Sequence, residues 1–339
     1  MKNTWLKLLA VLLFISLILM NCTKDEGNPV ESTVSDLSGI WSGTLQSNIV
    51  TTPAPFAITI SHTNNNLSGT YSVTTGVSGL FVGTVSGNTI NFTLTQTTAS
   101  SPGSFTGQGT INGNTINFTY TGTDTWGHHT GSGSLSKYEV TGNVICPLYM
   151  GKTWIYLDSS FSSSGTLSRV DSSMLGIVGK TSINYEGQNL ELFQWNWINM
   201  ATKKPAPYSW LERNQGDGLN IYGGFFRNQP VILGKFLAQK YPVNAGDSWS
   251  SGRVTFTTSP DSMFRVADTI TTTCTSVNQN ISTPAGSINC YVYNYQRTYT
   301  SAGKTMTDDV YLYYAVNKGY IGMLSKTDGV VRFKKLLKR

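Results

Sequence analysis

The sequence predicts an all-β protein: an eight-stranded up-and-down antiparallel barrel followed by a larger curved antiparallel sheet, a half-barrel. Three observations lead there. Apolar residues alternate with Thr, Ser and Asn at a period of two through most of the chain, the signature of strands with one buried face. Gly-Asn and Asn-Gly pairs punctuate those runs at hairpin spacing. No long helical period occurs, and the best helix candidate, "GKFLAQKY" at 234–241, is short.

The first residues read as an export leader. Lys2 and Lys7 precede an apolar run, "LLAVLLFISLILM" at 8–20, which is shorter than the roughly 20 residues a spanning helix needs. Leu19-Met20-Asn21-Cys22 resembles the lipobox of bacterial lipoproteins. In that family the cysteine is acylated with a diglyceride and becomes the first residue. Asn21 departs from the Gly, Ala or Ser usual before the cysteine. The resemblance implies a signal peptide at 1–21, lipidation of Cys22 and membrane attachment through that anchor; the alternative is an ordinary signal peptide in which Cys22 is incidental. Lys24-Asp25-Glu26 resembles a short sorting signal that marks some Gram-negative lipoproteins for surface display. An outer-membrane location, facing inward or outward, is the expectation. Residues 22–36 have no apolar periodicity and read as a flexible tether.

The formal charge of +6 is not spread along the chain. Lys2 and Lys7 leave with the leader, and "RFKKLLKR" at 332–339 carries another basic group, which reads as a solvated strand end. What lies between is near neutral, so no nucleic-acid-binding face is expected.

Residues 37–137 form the first expected domain. "PFAITI" (55–60), "NLSGTYSV" (66–73), "NTINFTLT" (88–95) and "NTINFTYT" (114–121) all alternate. "GTVSGNTINFT" and "GTINGNTINFT" are a local duplication one hairpin apart. Eight strands are expected near 39–48, 55–62, 66–74, 79–86, 88–97, 104–111, 114–122 and 129–137, closing into a barrel, with an open sandwich as the alternative. "GIWSGTL" with Trp41 on the first strand and "LSGTY" (67–71) on the third resemble the lipocalin and avidin group of small barrels. There the tryptophan plugs one end and the interior holds an apolar ligand. Trp41 is the plug the resemblance implies. With only Trp41 and Trp126 in this segment, biotin does not carry over. Phe56, Phe81, Phe92, Phe105 and Phe118 either line a cavity or fill the barrel, and the filled core is the favoured reading.

Residues 145–335 form the second expected domain. "PLYMGKTW" (147–154) and "PVNAGDSW" (242–249) share P-x-x-x-G-x-x-W. Together with "TPAGSINCYVY" (283–293), "DVYLYYA" (309–315) and "KGYIGML" (318–324), they resemble the C-terminal module of uncharacterised secreted bacterial lipoproteins. That resemblance implies a half-barrel like those of periplasmic lipoprotein carriers. Phe193, Trp195 and Trp197 share one strand face and read as core. Tyr291, Tyr293 and Tyr295 share another, as do Tyr311 and Tyr313; with Trp195 and Trp197 behind them they are the candidate ligand-binding residues, for a glycan or a lipid-like molecule.

Cys274 and Cys290 flank "STPAG" (282–286) symmetrically and are expected to pair across a hairpin; three buried free thiols, including Cys146, are the alternative. His62, His128 and His129 are too few for a metal site, and no cofactor is expected. No G-x-S-x-G or H-E-x-x-H occurs. Asp308 and Asp309 are adjacent on a strand and point to opposite faces. No catalytic residue is assigned. A non-catalytic ligand-binding envelope lipoprotein is favoured over a structural or adhesion component, and over a hydrolase whose carboxylates, such as Glu186, Glu191 and Glu212, converge from distant strands. The oligomeric state is open.

Overall fold

A computed structural model describes residues 36–338 apart from 51, 99–100, 140–141, 199, 201–205, 207, 227–228, 257–263 and 302–303. The leader, Cys22 and the tether up to residue 35 lie outside the described residues. The described chain is all-β, a closed barrel joined to a twelve-stranded sheet.

Strands β1 (Gly39–Ser47), β2 (Ala54–Thr63), β3 (Asn66–Val73), β4 (Ser78–Ser86), β5 (Thr89–Gln96), β6 (Gly103–Asn112), β7 (Thr115–Asp124) and β8 (Gly127–Tyr138) run up and down in order. β8 closes on β1, with Trp41 opposite Lys137 and Gly43 opposite Leu135, so the fold is a barrel and not a sandwich. The duplicated hairpins turn on Gly87 and Gly113, at φ +55° and +57°, the left-handed region tight hairpin turns require.

The second part comprises β9 (Thr153–Phe161), β10 (Leu167–Tyr185), β11 (Gln188–Ile198), β12 (Tyr208–Gln215), β13 (Gly218–Phe226), β14 (Gln229–Lys240), β15 (Ser248–Phe256), β16 (Phe264–Thr283), β17 (Gly286–Ser301), β18 (Lys304–Ala315), β19 (Gly319–Thr327) and β20 (Val330–Leu337). β20 lodges between β9 and β19, which joins the two halves. The end strands β14 and β15 approach each other, and the Trp249 indole donates to the Leu237 carbonyl at 3.2 Å. The short segment at 234–241, the best helix candidate in an all-β sequence, is not helical. It lies mostly in β14, with Phe236 opposite Ile221 and Leu237 opposite Asn220. A segment that short cannot meet the cost of helix nucleation, and the ladder with β13 supplies its hydrogen bonds instead.

Aromatic rings dominate the interior of this sheet. Trp154, Tyr156, Trp195, Tyr293, Tyr314 and Tyr320 belong to one buried cluster. Centroid separations of 5.3 Å for Tyr314–Tyr320 and 5.4 Å for Tyr156–Tyr320 are those of favourable ring pairs.

Both copies of P-x-x-x-G-x-x-W have the same local use. The glycine carries a left-handed turn, Gly151 at φ +83° and Gly246 at φ +94°, and the tryptophan indole ties the next strand to a carbonyl elsewhere in the sheet. Gly151 also joins the two parts of the protein. Its carbonyl accepts from Ser72 Oγ at 2.8 Å, and an added Cβ would lie 2.5 Å from the Phe56 backbone carbon.

The expected Cys274–Cys290 bridge is not formed; both thiols and that of Cys146 are free and buried. The β16–β17 turn runs from Thr283 to Gly286, so Cys290 faces Gln279 while Cys274 faces Tyr293, and two register shifts lie between. Cys290 lies three residues along β17 from Tyr293, the residue opposite Cys274, which offsets the two positions by about 10 Å along the strands, beyond bridging distance. The basic tail is likewise only partly a solvated end. Lys334 and Lys338 are exposed, but Lys335 is 4 % exposed and bound to Asp158 at 2.8 Å.

Candidate functional site: a cavity in the mouth of the barrel

The two ends of the barrel differ because the sequence fills them differently. At the end where Asp36 enters, Leu67, Val85, Ile90, Ile116 and Leu135 point inward and are buried. Trp41 lies among them, 1 % exposed, its indole donating to the Leu37 carbonyl at 2.8 Å. A layer of rings follows, with Phe81–Phe92 at 5.8 Å, Phe92–Phe118 at 5.7 Å and Phe56–Phe118 at 5.9 Å. Inward glycines on the facing strands give these rings room. A Cβ on Gly107 would stand 2.3 Å from the Phe92 ring, and one on Gly133 2.4 Å from the Phe118 ring.

Above that layer the packing stops, leaving a cavity of about 380 Å³. Its walls include Leu45, Val73, Leu94, Phe105, Phe118 and Tyr120. Every lining residue lies in the barrel segment, and none comes from β9–β20. The favoured expectation of a filled barrel holds for the closed half and fails for the open half. Of the five phenylalanines, Phe56, Phe105 and Phe118 line the cavity, while Phe81 and Phe92 pack beneath it.

Polar side chains, Ser47, Thr75, Gln96, Thr98 and Ser101 among them, also line the cavity. Asp124, the one Asp, Glu, Lys or Arg in residues 37–136, lines the cavity with its side chain 7 % exposed. Its Oδ1 accepts from the Trp126 backbone N–H at 2.7 Å and lies 3.0 Å from His129 Nε2. Among the described residues its Oδ2 has only long contacts, 3.4 Å each, from Gln96 Nε2 and Ser101 Oγ. Tyr71, 5 % exposed, is also in the wall, and its hydroxyl has no partner among the described residues. Burial, with the nearby Asp124 charge, pushes that phenol well above its ordinary range, so it stays protonated and able to donate. Val50 and Trp126 line the cavity yet are exposed, Trp126 by 72 %, as is Ile49.

The aromatic residues expected to bind a ligand in the second sheet do not form an open face. Tyr293 is fully buried and donates to the Lys240 carbonyl at 3.0 Å; Tyr313 and Trp195 are 8 % exposed. Tyr291, Tyr311 and Trp197 are partly buried against the same cluster, and Tyr295 is partly buried on the same strand as Tyr291. Most of these rings pack into the interior of the curved sheet, whose end strands approach each other, while Tyr291 also lines a surface depression of about 470 Å³ with Ile288, Ala315 and Lys318. Nor do the carboxylates converge: Glu186 and Glu191 are exposed, Glu191 paired with Lys180 at 2.8 Å, while Glu212 is buried. Asp308 bonds Arg297 and Thr327, whereas Asp309 accepts from Gln296. Among the described residues, no three His, Cys, Asp or Glu side chains group to hold a metal ion.

Sequence reasoning missed the mouth. β8 begins at Gly127, and strand alternation sends His129 inward, beside Asp124, and His128 outward to Thr121. The available signal was the isolation of Asp124 in an otherwise uncharged segment.

Fold and site together define a class: an all-β protein with a closed antiparallel barrel that carries an internal cavity, fused to a nearly closed antiparallel sheet. No protein-family model matches the chain, and no curated protein sequence matches it. Among solved structures, a redesigned β-barrel, mFAP1, bound to DFHBI is similar at 20 % identity over 30 % of this chain and 94 % of that one, TM-score 0.25. A protein of Bacteroides fragilis described as exported, with a YmcC-like fold, is similar at 13 % identity over 58 % of this chain and 99 % of its own, TM-score 0.33. A protein of Parabacteroides distasonis described as a lipoprotein is similar at 11 % identity over 59 % and 99 %, TM-score 0.30. Likeness at this level bears on neither ligand nor activity.

Proposed function

We propose that the protein is a non-catalytic envelope lipoprotein whose barrel binds a small, mostly apolar molecule in the cavity at its mouth. The observation that carries this reading is the cavity itself, apolar-walled and about 380 Å³, with the unpartnered Tyr71 hydroxyl in its wall. That volume falls in the range of small-molecule sites, and a few polar groups on an apolar wall are their usual make-up. A buried hydroxyl without a partner costs about 1–3 kcal/mol, which a ligand's acceptor group would recover. Attachment through Cys22 rests on the lipobox-like segment.

The test is titration with a neutral fluorescent apolar probe, N-phenyl-1-naphthylamine, against the wild type and against cavity-filling variants Val73→Trp and Leu45→Trp. Both residues line the cavity, so binding should weaken at least tenfold in either variant that keeps its β circular dichroism. Undiminished binding in folded variants would place the probe elsewhere and end the proposal.

A further inference from the structure

The cavity wall holds one carboxyl side chain, Asp124, and no Lys or Arg. Residues 37–136 contain no Lys or Arg, and no residue of β9–β20 reaches the cavity wall. Lys137, the nearest in sequence, sits at the opposite end, 5.7 Å from the Trp41 ring and bonded to the Asp36 carbonyl. Of the three histidines, His62 lies at that closed end beside Leu37, and His128 faces outward to Thr121. His129 does line the cavity, but its Nε2 is engaged by Asp124 Oδ1, and its ring stands edge-on to Phe105 at 5.6 Å.

We infer that the cavity selects an uncharged apolar molecule bearing a hydrogen-bond acceptor for Tyr71, and that Asp124 makes it reject carboxylates and sulfonates, fatty acids included. This rests on the reading of the cavity as a ligand site. An anion entering would lose its hydration and meet no counter-charge. It would also meet the Asp124 carboxylate, whose Oδ2 is held among the described residues by two 3.4 Å contacts, in a wall of low dielectric where like charges repel strongly. A neutral molecule suffers neither effect. Tyr71 can donate to a carbonyl, ether or ring-nitrogen acceptor, while Gln96 and Ser101 are already committed to Asp124 and to each other. Asp124 is therefore a specificity determinant as well as the anchor of the mouth loop through the Trp126 N–H.

N-phenyl-1-naphthylamine and 8-anilinonaphthalene-1-sulfonate share an anilinonaphthalene frame and differ by the sulfonate, which makes them a matched pair. The wild type should bind the neutral probe at least tenfold more tightly than the sulfonate. Decan-1-ol should displace the bound neutral probe at concentrations where decanoate does not. In Asp124→Asn the ratio of the two probe affinities should fall at least fivefold. If that variant does not fold, the alcohol and carboxylate comparison on the wild type decides the matter. Comparable binding of the sulfonate in competition with the neutral probe, or displacement by decanoate as effective as by decan-1-ol, would overturn the charge selection while leaving the cavity a binding site. Loss of the distinction between wild type and Val73→Trp would instead remove the site itself.

Discussion

Glu212 is 3 % exposed, and its Oε2 has no hydrogen-bond partner among the described residues. Burial holds its carboxyl well above the ordinary range. A folded-state pKa raised above the unfolded one of about 4.3 gives stability that is complete below that pH and declines as pH rises through the folded value. Each unit of separation amounts to about 1.4 kcal/mol. Glu212→Gln keeps the shape and removes the ionisation, so it should flatten the decline and raise the thermal midpoint at pH 8 relative to the wild type. Midpoints for both proteins from pH 4 to 9 check this, and curves that fall in parallel would show that Glu212 does not govern the slope. The three thiols follow the same rule. Burial pushes Cys290 up to about 12 and raises Cys146 and Cys274, so each is a protonated thiol near neutral pH and out of reach of reagents. A disulfide-exchange reagent such as DTNB should modify none of them in the native protein and all three in denaturant; rapid native modification would contradict their burial.

Elements were legible where one physical signal decided them. All eight barrel strands lie within about two residues of the spans read from alternation, because period-two patterning and left-handed Gly turns admit one register. Legibility failed where the sheet departs from regularity. Shifts at Cys274/Ser276 and Ser276/Gln279 moved the two cysteines out of step, and nothing in the local sequence marks such bulges. The barrel cavity was hidden for a related reason, since alternation shows which residues point inward but not whether they meet. The P-x-x-x-G-x-x-W repeat was visible as a pattern, and the structure supplies its cause in Gly151. Both the left-handed φ and the close approach to β2 exclude a side chain there, so Gly151→Ala should cost about 1–3 kcal/mol. Gly187→Ala, at φ +78° with open space around its Cβ, isolates the backbone term. Denaturant midpoints should place Gly151→Ala clearly below Gly187→Ala, and equal midpoints would show that the contact with the barrel adds nothing.

At the scale of the whole molecule, the two ends of the barrel face different demands. Asp36 and Leu37 enter at the closed end, where Asp36 lies beside Lys137 and Leu37 beside His62, and the cavity opens at the other. The described chain thus starts at the plugged end, and the exposed Trp126 marks the mouth at the other. If Cys22 carries the anchor, mass spectrometry of the mature N-terminus should show an acylated cysteine, and Cys22→Ala should release the protein from membranes. An unmodified Cys22 within a longer chain would end the membrane assignment. Because the native thiols at 146, 274 and 290 are buried, a cysteine introduced by Trp126→Cys becomes a specific reporter of the mouth. A polar, membrane-impermeant maleimide applied to the purified acylated protein on vesicles should label that position as fast as in detergent-dispersed protein. Protection on vesicles alone would mean that Trp126, Ile49 and Val50 insert into the lipid surface and that the cavity is filled from the membrane, not from water.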